Sequence, residues 1–217
     1  MMIRKKCVIA IGAGLAALLA AMVFPQASRP REFAREDGGL PATKVLDYIG
    51  LKPGMKVGEA GAGWGYFTFA LAGRVGLDGF VYANDIDAAS LEELERHRQA
   101  KGGPNIQTVM GELDDPRFPV SDLDFIVLVN AFHDFGKPVE WLVNLKKYVK
   151  PDARIALIEI DPSKVPPDRP YNHAWPREKF VALAAQAGYE LVKADNDYRM
   201  HQVLVFRLSI HTASGPE

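Results

Sequence analysis

The alternation of short apolar strands with helices is the feature that most limits what this chain can fold into. Between residues 41 and 160, short segments of strand-forming residues alternate with segments whose apolar residues recur at helical spacing. Such alternation predicts a parallel sheet with helices on both faces. Two further strands, 189–194 and 200–208, are separated only by Asn196-Asp197, so they are predicted to form an antiparallel hairpin at one edge. The fold class is therefore α/β, a doubly wound sheet of seven strands.

The remaining predicted elements follow from the same periodicities. Strands are predicted at residues 56–60, 80–84, 106–109, 123–129 and 154–160. Helices are predicted at residues 42–49, 64–75, 90–100, 139–149 and 177–186. Ser90 and Glu93 fit a capping box at the start of the third helix, and Lys150-Pro151 is expected to close the fourth.

A glycine-rich turn follows the first predicted strand, where residues 59–66 read Glu-Ala-Gly-Ala-Gly-Trp-Gly-Tyr. Alternate glycines let the backbone approach a ligand closely, and the following helix offers free N–H groups. Asp85 ends the second strand, where a carboxylate can accept hydrogen bonds from both hydroxyls of a ribose. Glu112 follows the third strand, where an acid can hold an adenine amino group, and Asn130 ends the fourth.

The spacing G-x-G-x-G after an acid, with Asp85 and Glu112 downstream, resembles class I S-adenosylmethionine-dependent methyltransferases over residues 41–208. The resemblance implies a Rossmann-like sheet, mostly parallel, with strand order 3-2-1-4-5-7-6 and S-adenosylmethionine as the cofactor. An aspartate is more usual in the family at the position of Glu112. The implied cofactor-binding residues are Glu59, Gly61, Ala62, Gly63, Gly65, Tyr66, Asp85, Ile86, Glu112, Leu113 and Asn130.

Simpler interpretations of two of these acids stay open at this stage. Asp85 precedes a helix, so it also fits a plain helix cap. Glu112 also fits an ordinary loop acid, since Asp114 and Asp115 lie next to it and compete for the adenine-binding role.

The candidate catalytic residues are His133 and Asp134, directly after the fourth strand. Ligands of such sheets bind beyond the carboxyl ends of the strands, so His133 is a candidate base or substrate contact. The alternative is a structural histidine bonded to a loop carbonyl. Tyr171 and His173, after the fifth strand, are predicted substrate contacts, against the alternative of a solvated loop. The five histidines are scattered without metal-ligand spacing, so no metal site is predicted.

The N-terminus predicts export. Residues 4–6 are basic, residues 7–24 carry no charge, and Gln26-Ala27-Ser28 offers small residues for cleavage. We predict a signal peptide or an uncleaved membrane anchor at 1–27, a linker at 28–40, the methyltransferase domain at 41–210 and a tail at 211–217. The resulting location is the periplasm or the inner membrane surface, and residues 129–135 resemble an exported, uncharacterised methyltransferase subgroup.

The net charge of the chain indicates which class of methyl acceptor to expect. Removal of residues 1–27 leaves 23 basic against 27 acidic residues, a net charge of −4, which disfavours nucleic acid. We expect methyl transfer to a small-molecule or lipid-like acceptor. The alternatives are an inactive S-adenosylmethionine-binding module or an NAD-dependent oxidoreductase, the latter disfavoured by the glycine spacing.

Overall fold

A seven-stranded mixed sheet forms the centre of the computed structural model, which describes residues 40–168 and 173–209. The strands are β1 (Lys56–Ala60), β2 (Phe80–Asp85), β3 (Ile106–Met110), β4 (Leu123–Val129), β5 (Val149–Ile160), β6 (Tyr189–Asp195) and β7 (His201–Leu208). Their order is β3-β2-β1-β4-β5-β7-β6. The first five pair in parallel, and β7 runs antiparallel to both β5 and β6. The predicted doubly wound fold and strand order are confirmed.

Within the described residues, five α-helices cover the two faces of the sheet. They are α1 (Ala42–Ile49), α2 (Thr68–Val75), α3 (Ala88–Lys101), α4 (Pro138–Leu145) and α5 (Arg177–Gln186). Apolar residues of α1, α2 and α3 pack on one face, and those of α4 and α5 pack on the other. Burial of both faces explains why the central strands read as nearly continuous apolar runs.

Two predicted helix starts were wrong for identifiable reasons. Helix α2 begins at Thr68, because the turn before it is held in positive-φ conformations that a helix cannot contain. Helix α3 begins at Ala88, because the Asp87 carboxylate accepts the backbone N–H groups of the first turn. The predicted capping box at Ser90 and Glu93 therefore lies inside the helix.

The fourth helix and fifth strand meet earlier than predicted. Helix α4 ends at Leu145 and β5 already begins at Val149, so Pro151 lies within the strand. The β4–β5 pairing shifts register, from Leu123 opposite Val149 to Phe125 opposite Arg154. The extra β5 residues have no partner in the ladder, and an irregularity of this kind is where a strand tolerates proline.

The predicted leader or anchor at 1–27, nearly all of the linker at 28–40 and the tail at 211–217 lie outside the described residues. Among the helices that are described, none has the length and hydropathy to cross a membrane.

Candidate functional site

The turn between β1 and α2 has a shape that favours glycine. Gly61, Gly63 and Gly65 have φ angles of 71°, 52° and 92°. A Cβ atom on Gly61 would collide with the side chain of Ala131, and one on Gly65 would lie 2.9 Å from Cγ of Leu94. The turn after β1 therefore touches the turn after β4, which a larger residue at position 61 would prevent.

Asp85 ties this glycine turn to the end of β2. Its Oδ2 accepts the backbone N–H of Gly63 at 2.7 Å, and its Oδ1 accepts that of Asp87 at 3.0 Å. The residue that caps α3 is Asp87, so a helix cap does not account for Asp85. A carboxylate has about four acceptor positions, so both oxygens of Asp85 can accept a further donor from a ligand.

A cleft of about 270 Å³ lies at the carboxyl ends of the central strands. Seven predicted site residues line it: Gly61, Asp85, Ile86, Glu112, Leu113, Asn130 and Asp134. Sequence reasoning missed its remaining lining residues, Asn84, Ala131, Phe135, Gly136 and Trp141. Ala62, Gly63, Gly65 and Tyr66 form the glycine turn beside the cleft without lining it. The predicted substrate contact Tyr171 lies outside the described residues, and His173 is exposed and does not line the cleft.

Glu59 lies under the glycine turn rather than in the cleft. Its side chain is buried and accepts a 2.5 Å hydrogen bond from Oγ1 of Thr68. Burial raises the pKa of Glu59 to about 8, the Thr68 hydrogen bond opposes that rise, and the charge of Asp85 adds to it. Glu59 therefore lies beneath the glycine turn and accepts a hydrogen bond from the first residue of α2.

Glu112 is the only one of three neighbouring acids that lines the cleft among the described residues. Asp114 pairs with Lys137, and Asp115 accepts a 2.6 Å hydrogen bond from the Tyr148 hydroxyl. Glu112 is half exposed and pairs with Arg117. Asp114 and Asp115 thus have partners and do not line the cleft. Glu112 is the acid of the three that can reach a ligand there.

His133 lies beneath the cleft, between two carboxylates. Its side chain is 3% exposed, Nδ1 lies 2.6 Å from Oε2 of Glu159, and Nε2 lies 3.5 Å from Oδ2 of Asp134. The hydrogen bond to Glu159 raises the pKa of His133, burial opposes that rise, and the charges of Glu159 and Asp134 add to it. Among the described residues, Nδ1 of His133 thus faces a buried carboxylate, whereas the alternative interpretation expected a loop carbonyl. Asp134 is the member of this pair of residues that lines the cleft.

Glu159, at the end of β5, is a further residue of this site that sequence reasoning missed. Its side chain is 1% exposed, and besides His133 it binds the backbone N–H groups of Ala131 and Phe132, at 3.2 and 2.8 Å from Oε1. The available signal was an acid inside the apolar run of residues 154–160, since buried carboxylates are almost always paired.

Asn130 contributes a polar group to the same turn. Its backbone is left-handed, with φ of 49°, and Nδ2 lies 3.1 Å from Nε2 of His201. Within the described part of the chain its Oδ1 is buried without a hydrogen-bond partner. Buried polar atoms are nearly always paired, so this oxygen fits a donor that a ligand brings.

These features fit S-adenosylmethionine. Asp85 offers acceptor positions for the ribose hydroxyls, Glu112 offers one for the adenine amino group, and the Asn130 oxygen is left for a third donor. No group of three or more potential metal ligands occurs in residues 40–168 and 173–209.

We expect Glu159→Gln to destabilise the protein more near pH 6 than near pH 9. A raised pKa in the folded state means that the His133–Glu159 pair stabilises fully below the ordinary histidine value of 6.5 and less as pH rises through the raised value. Breaking a buried pair costs roughly 3 kcal/mol when the histidine is charged. Urea unfolding at both pH values measures the difference.

Glu190→Gln provides the control, because Glu190 forms an ion pair with Arg207 that is half exposed. This variant is expected to change stability by less than about 1 kcal/mol at either pH. An equal loss for Glu159→Gln at both pH values would contradict a charged pair.

Comparisons with known proteins agree with this geometry. A family model described as "Methyltransferase domain" matches residues 51–204, well over half of the chain. Nocamycin O-methyltransferase of Saccharothrix syringae is 26% identical over 116 residues, which cover 54% of this chain and 41% of that protein's length. The chain thus spans less than half of this curated relative.

Solved structures show the same fold. A SAM-dependent methyltransferase from Aquifex aeolicus superposes with a TM-score of 0.72 and 26% identity, covering 76% of this chain and 88% of that one. Mitomycin 7-O-methyltransferase superposes with a TM-score of 0.62 and 14% identity, covering 79% and 55%, and at that identity shows the fold alone.

The methyltransferase-domain match and the similarity to a SAM-dependent methyltransferase from Aquifex aeolicus support S-adenosylmethionine as the cofactor, rather than the dinucleotide that the sequence left open. The chain belongs to the methyltransferase-domain family, with S-adenosylmethionine as its cofactor.

Proposed function

We propose that this protein transfers a methyl group from S-adenosylmethionine to a hydroxyl group of a small organic acceptor. The observation that carries the proposal is Asp134, whose side chain is 71% exposed and lines the cleft while being backed by the buried His133–Glu159 pair. Support for a hydroxyl acceptor comes from the curated relative, which is named as an O-methyltransferase.

The cofactor supplies a methyl group that is made electrophilic by its positive sulfur. Asp85 would hold the ribose hydroxyls and Glu112 the adenine amino group, while the glycine turn allows close approach of the backbone. The residues thereby fix the position of the reacting carbon, and positioning is a large part of the rate enhancement in a bimolecular transfer.

A neutral hydroxyl must lose its proton when its oxygen is methylated. The carboxylate of Asp134 is the acceptor that the cleft presents for this proton. His133 has a carboxylate on each side, which favours its charged form, so we assign it the role of holding Asp134 in place. In the proposed step the acceptor oxygen would gain the methyl group, the methyl–sulfur bond would break to leave S-adenosylhomocysteine, and the hydroxyl proton would pass to Asp134. We thus divide the two predicted catalytic roles between Asp134 and His133.

We also propose that residues 1–27 direct export of the protein. Support comes from the three basic residues at 4–6, followed by 18 uncharged residues at 7–24. An exported domain would meet acceptors of the cell envelope, and an uncleaved segment would keep it at the membrane surface. Either location is compatible with a small-molecule or lipid-like hydroxyl compound.

Asp85→Ala is expected to weaken the binding of S-adenosylhomocysteine by about 1–3 kcal/mol, because it removes the acceptor for the ribose hydroxyls. Isothermal calorimetry on the full chain measures the change. Asp47→Ala is the matched control, since Asp47 is exposed on α1 and pairs with Arg74. Unchanged affinity in Asp85→Ala would contradict the placement of the cofactor.

Asp134→Asn is expected to lower kcat at least about 100-fold, because the amide cannot accept the proton. The binding of S-adenosylhomocysteine should change less than about twofold, since Asp134 acts on the acceptor. The assay screens phenols, enols and aliphatic alcohols with labelled methyl donor. Glu140→Gln, an exposed carboxylate on α4, serves as the control.

Two results of that screen would overturn the proposal. Cofactor binding without transfer to any hydroxyl compound would favour the alternative of an inactive binding module. Full activity in Asp134→Asn would show that the proton goes elsewhere.

For export, a phosphatase reporter fused at the C-terminus of the full chain is expected to be active, and deletion of residues 1–27 should abolish that activity. N-terminal sequencing of the fusion then distinguishes a cleaved signal from an anchor. An inactive phosphatase in the full-length fusion, or one whose activity survives the deletion, would contradict the proposed export.

A further inference from the structure

His201 is a buried histidine that the proposed reaction does not use. It begins β7, pairs with Ile160 of β5 across the sheet and is 1% exposed. Its Nε2 lies 3.1 Å from Nδ2 of Asn130, a residue that lines the cofactor cleft. The closing hairpin thus reaches the cofactor site through one side-chain contact.

The orientation of the Asn130 amide, with Nδ2 toward His201, sets the hydrogen-bonding roles in this contact. An amide nitrogen is only a donor, so Nε2 of His201 accepts, and the imidazole is neutral with its proton on Nδ1. A neutral imidazole of the other tautomer would instead attract the amide oxygen and turn the amide over. The tautomer of His201 therefore decides which amide atom of Asn130 is left for a ligand.

The Asn130 atom that remains for a ligand is the amide oxygen. Oδ1 of Asn130 is buried without a partner among the described residues, although the amide nitrogen beside it is bound. An unpaired buried acceptor is unfavourable, so its presence here points to a partner that arrives with the ligand.

We propose that His201 is a positioning residue for cofactor binding, which orients the Asn130 amide so that Oδ1 accepts a hydrogen bond from the α-ammonium group of S-adenosylmethionine. The cofactor carries three sets of donors. The ribose hydroxyls and the adenine amino group are assigned to Asp85 and Glu112, which leaves the ammonium for Asn130. A cation paired with an oxygen acceptor forms the stronger, charge-assisted kind of hydrogen bond.

This inference concerns the cofactor alone and does not depend on the proposed hydroxyl acceptor or on Asp134. It is tested by binding, without turnover. A failure of the acceptor screen would leave it intact, and its own failure would leave the proposed transfer intact.

The test compares two ligands by calorimetry on the full chain. S-adenosylhomocysteine carries the ammonium group, whereas 5′-methylthioadenosine keeps the ribose and adenine but lacks the amino-acid part. We expect His201→Leu to weaken S-adenosylhomocysteine about tenfold and to leave 5′-methylthioadenosine within twofold. His201→Gln, which can still accept from the Asn130 amide, should restore most of the affinity.

Asn130→Gly removes the amide without backbone strain, because φ is already 49° at this position. It should also weaken S-adenosylhomocysteine about tenfold, and the double variant with His201→Leu should be no weaker than either single variant. Thermal unfolding of each variant shows whether it folds. If His201→Leu does not fold, His201→Gln and Asn130→Gly carry the comparison of the two ligands.

Nitrogen-15 NMR of the imidazole rings tests the tautomer directly, with His201→Gln to assign the signal. We expect a neutral ring protonated at Nδ1. Protonation at Nε2, equal weakening of both ligands, or multiplicative losses in the double variant would each overturn the inference.

Discussion

The carboxylate of Glu159 is the interaction on which the candidate site depends. From the end of β5 it binds two backbone N–H groups and one imidazole nitrogen of the turn that follows β4. A buried charge is tolerated only when it is fully paired, and here all the partners come from consecutive residues of one turn. The position of that turn is therefore fixed by a residue from the neighbouring strand.

The turn after β4 packs directly against the turn after β1. Gly61 and Ala131 are so close that any side chain at position 61 would collide. The glycine turn is in turn tied to β2 through the bond from Gly63 to Asp85. The cleft is thus framed by parts of four neighbouring strands, each held to the next by a specific polar bond or close approach. Contacts that fix the turns to one another in this way favour a preorganised site.

Much of this arrangement was predictable from the sequence. Periodicity identified all seven strands, since buried parallel strands are apolar throughout, and the short link at Asn196-Asp197 indicated the hairpin. Gly61, Asp85 and Glu112 were predicted because glycines and acids at strand ends form a local pattern. Glu159 was not linked to the site, and the contact of His201 with Asn130 was not predicted, because the partners lie 26 to 71 residues away in the chain. Periodicity also could not show that Pro151 lies in a strand, because the register shift that admits it depends on β4.

The central claim is that the cleft between these turns binds S-adenosylmethionine with its ribose on Asp85 and its amino-acid end at Asn130. The most direct measurement is a crystal structure of the full chain with S-adenosylhomocysteine at saturating concentration. We expect the ribose hydroxyls within hydrogen-bond distance of the Asp85 carboxylate and the ammonium group next to Oδ1 of Asn130. A ligand bound elsewhere on the fold, or bound in the cleft with its ribose away from Asp85, would contradict it.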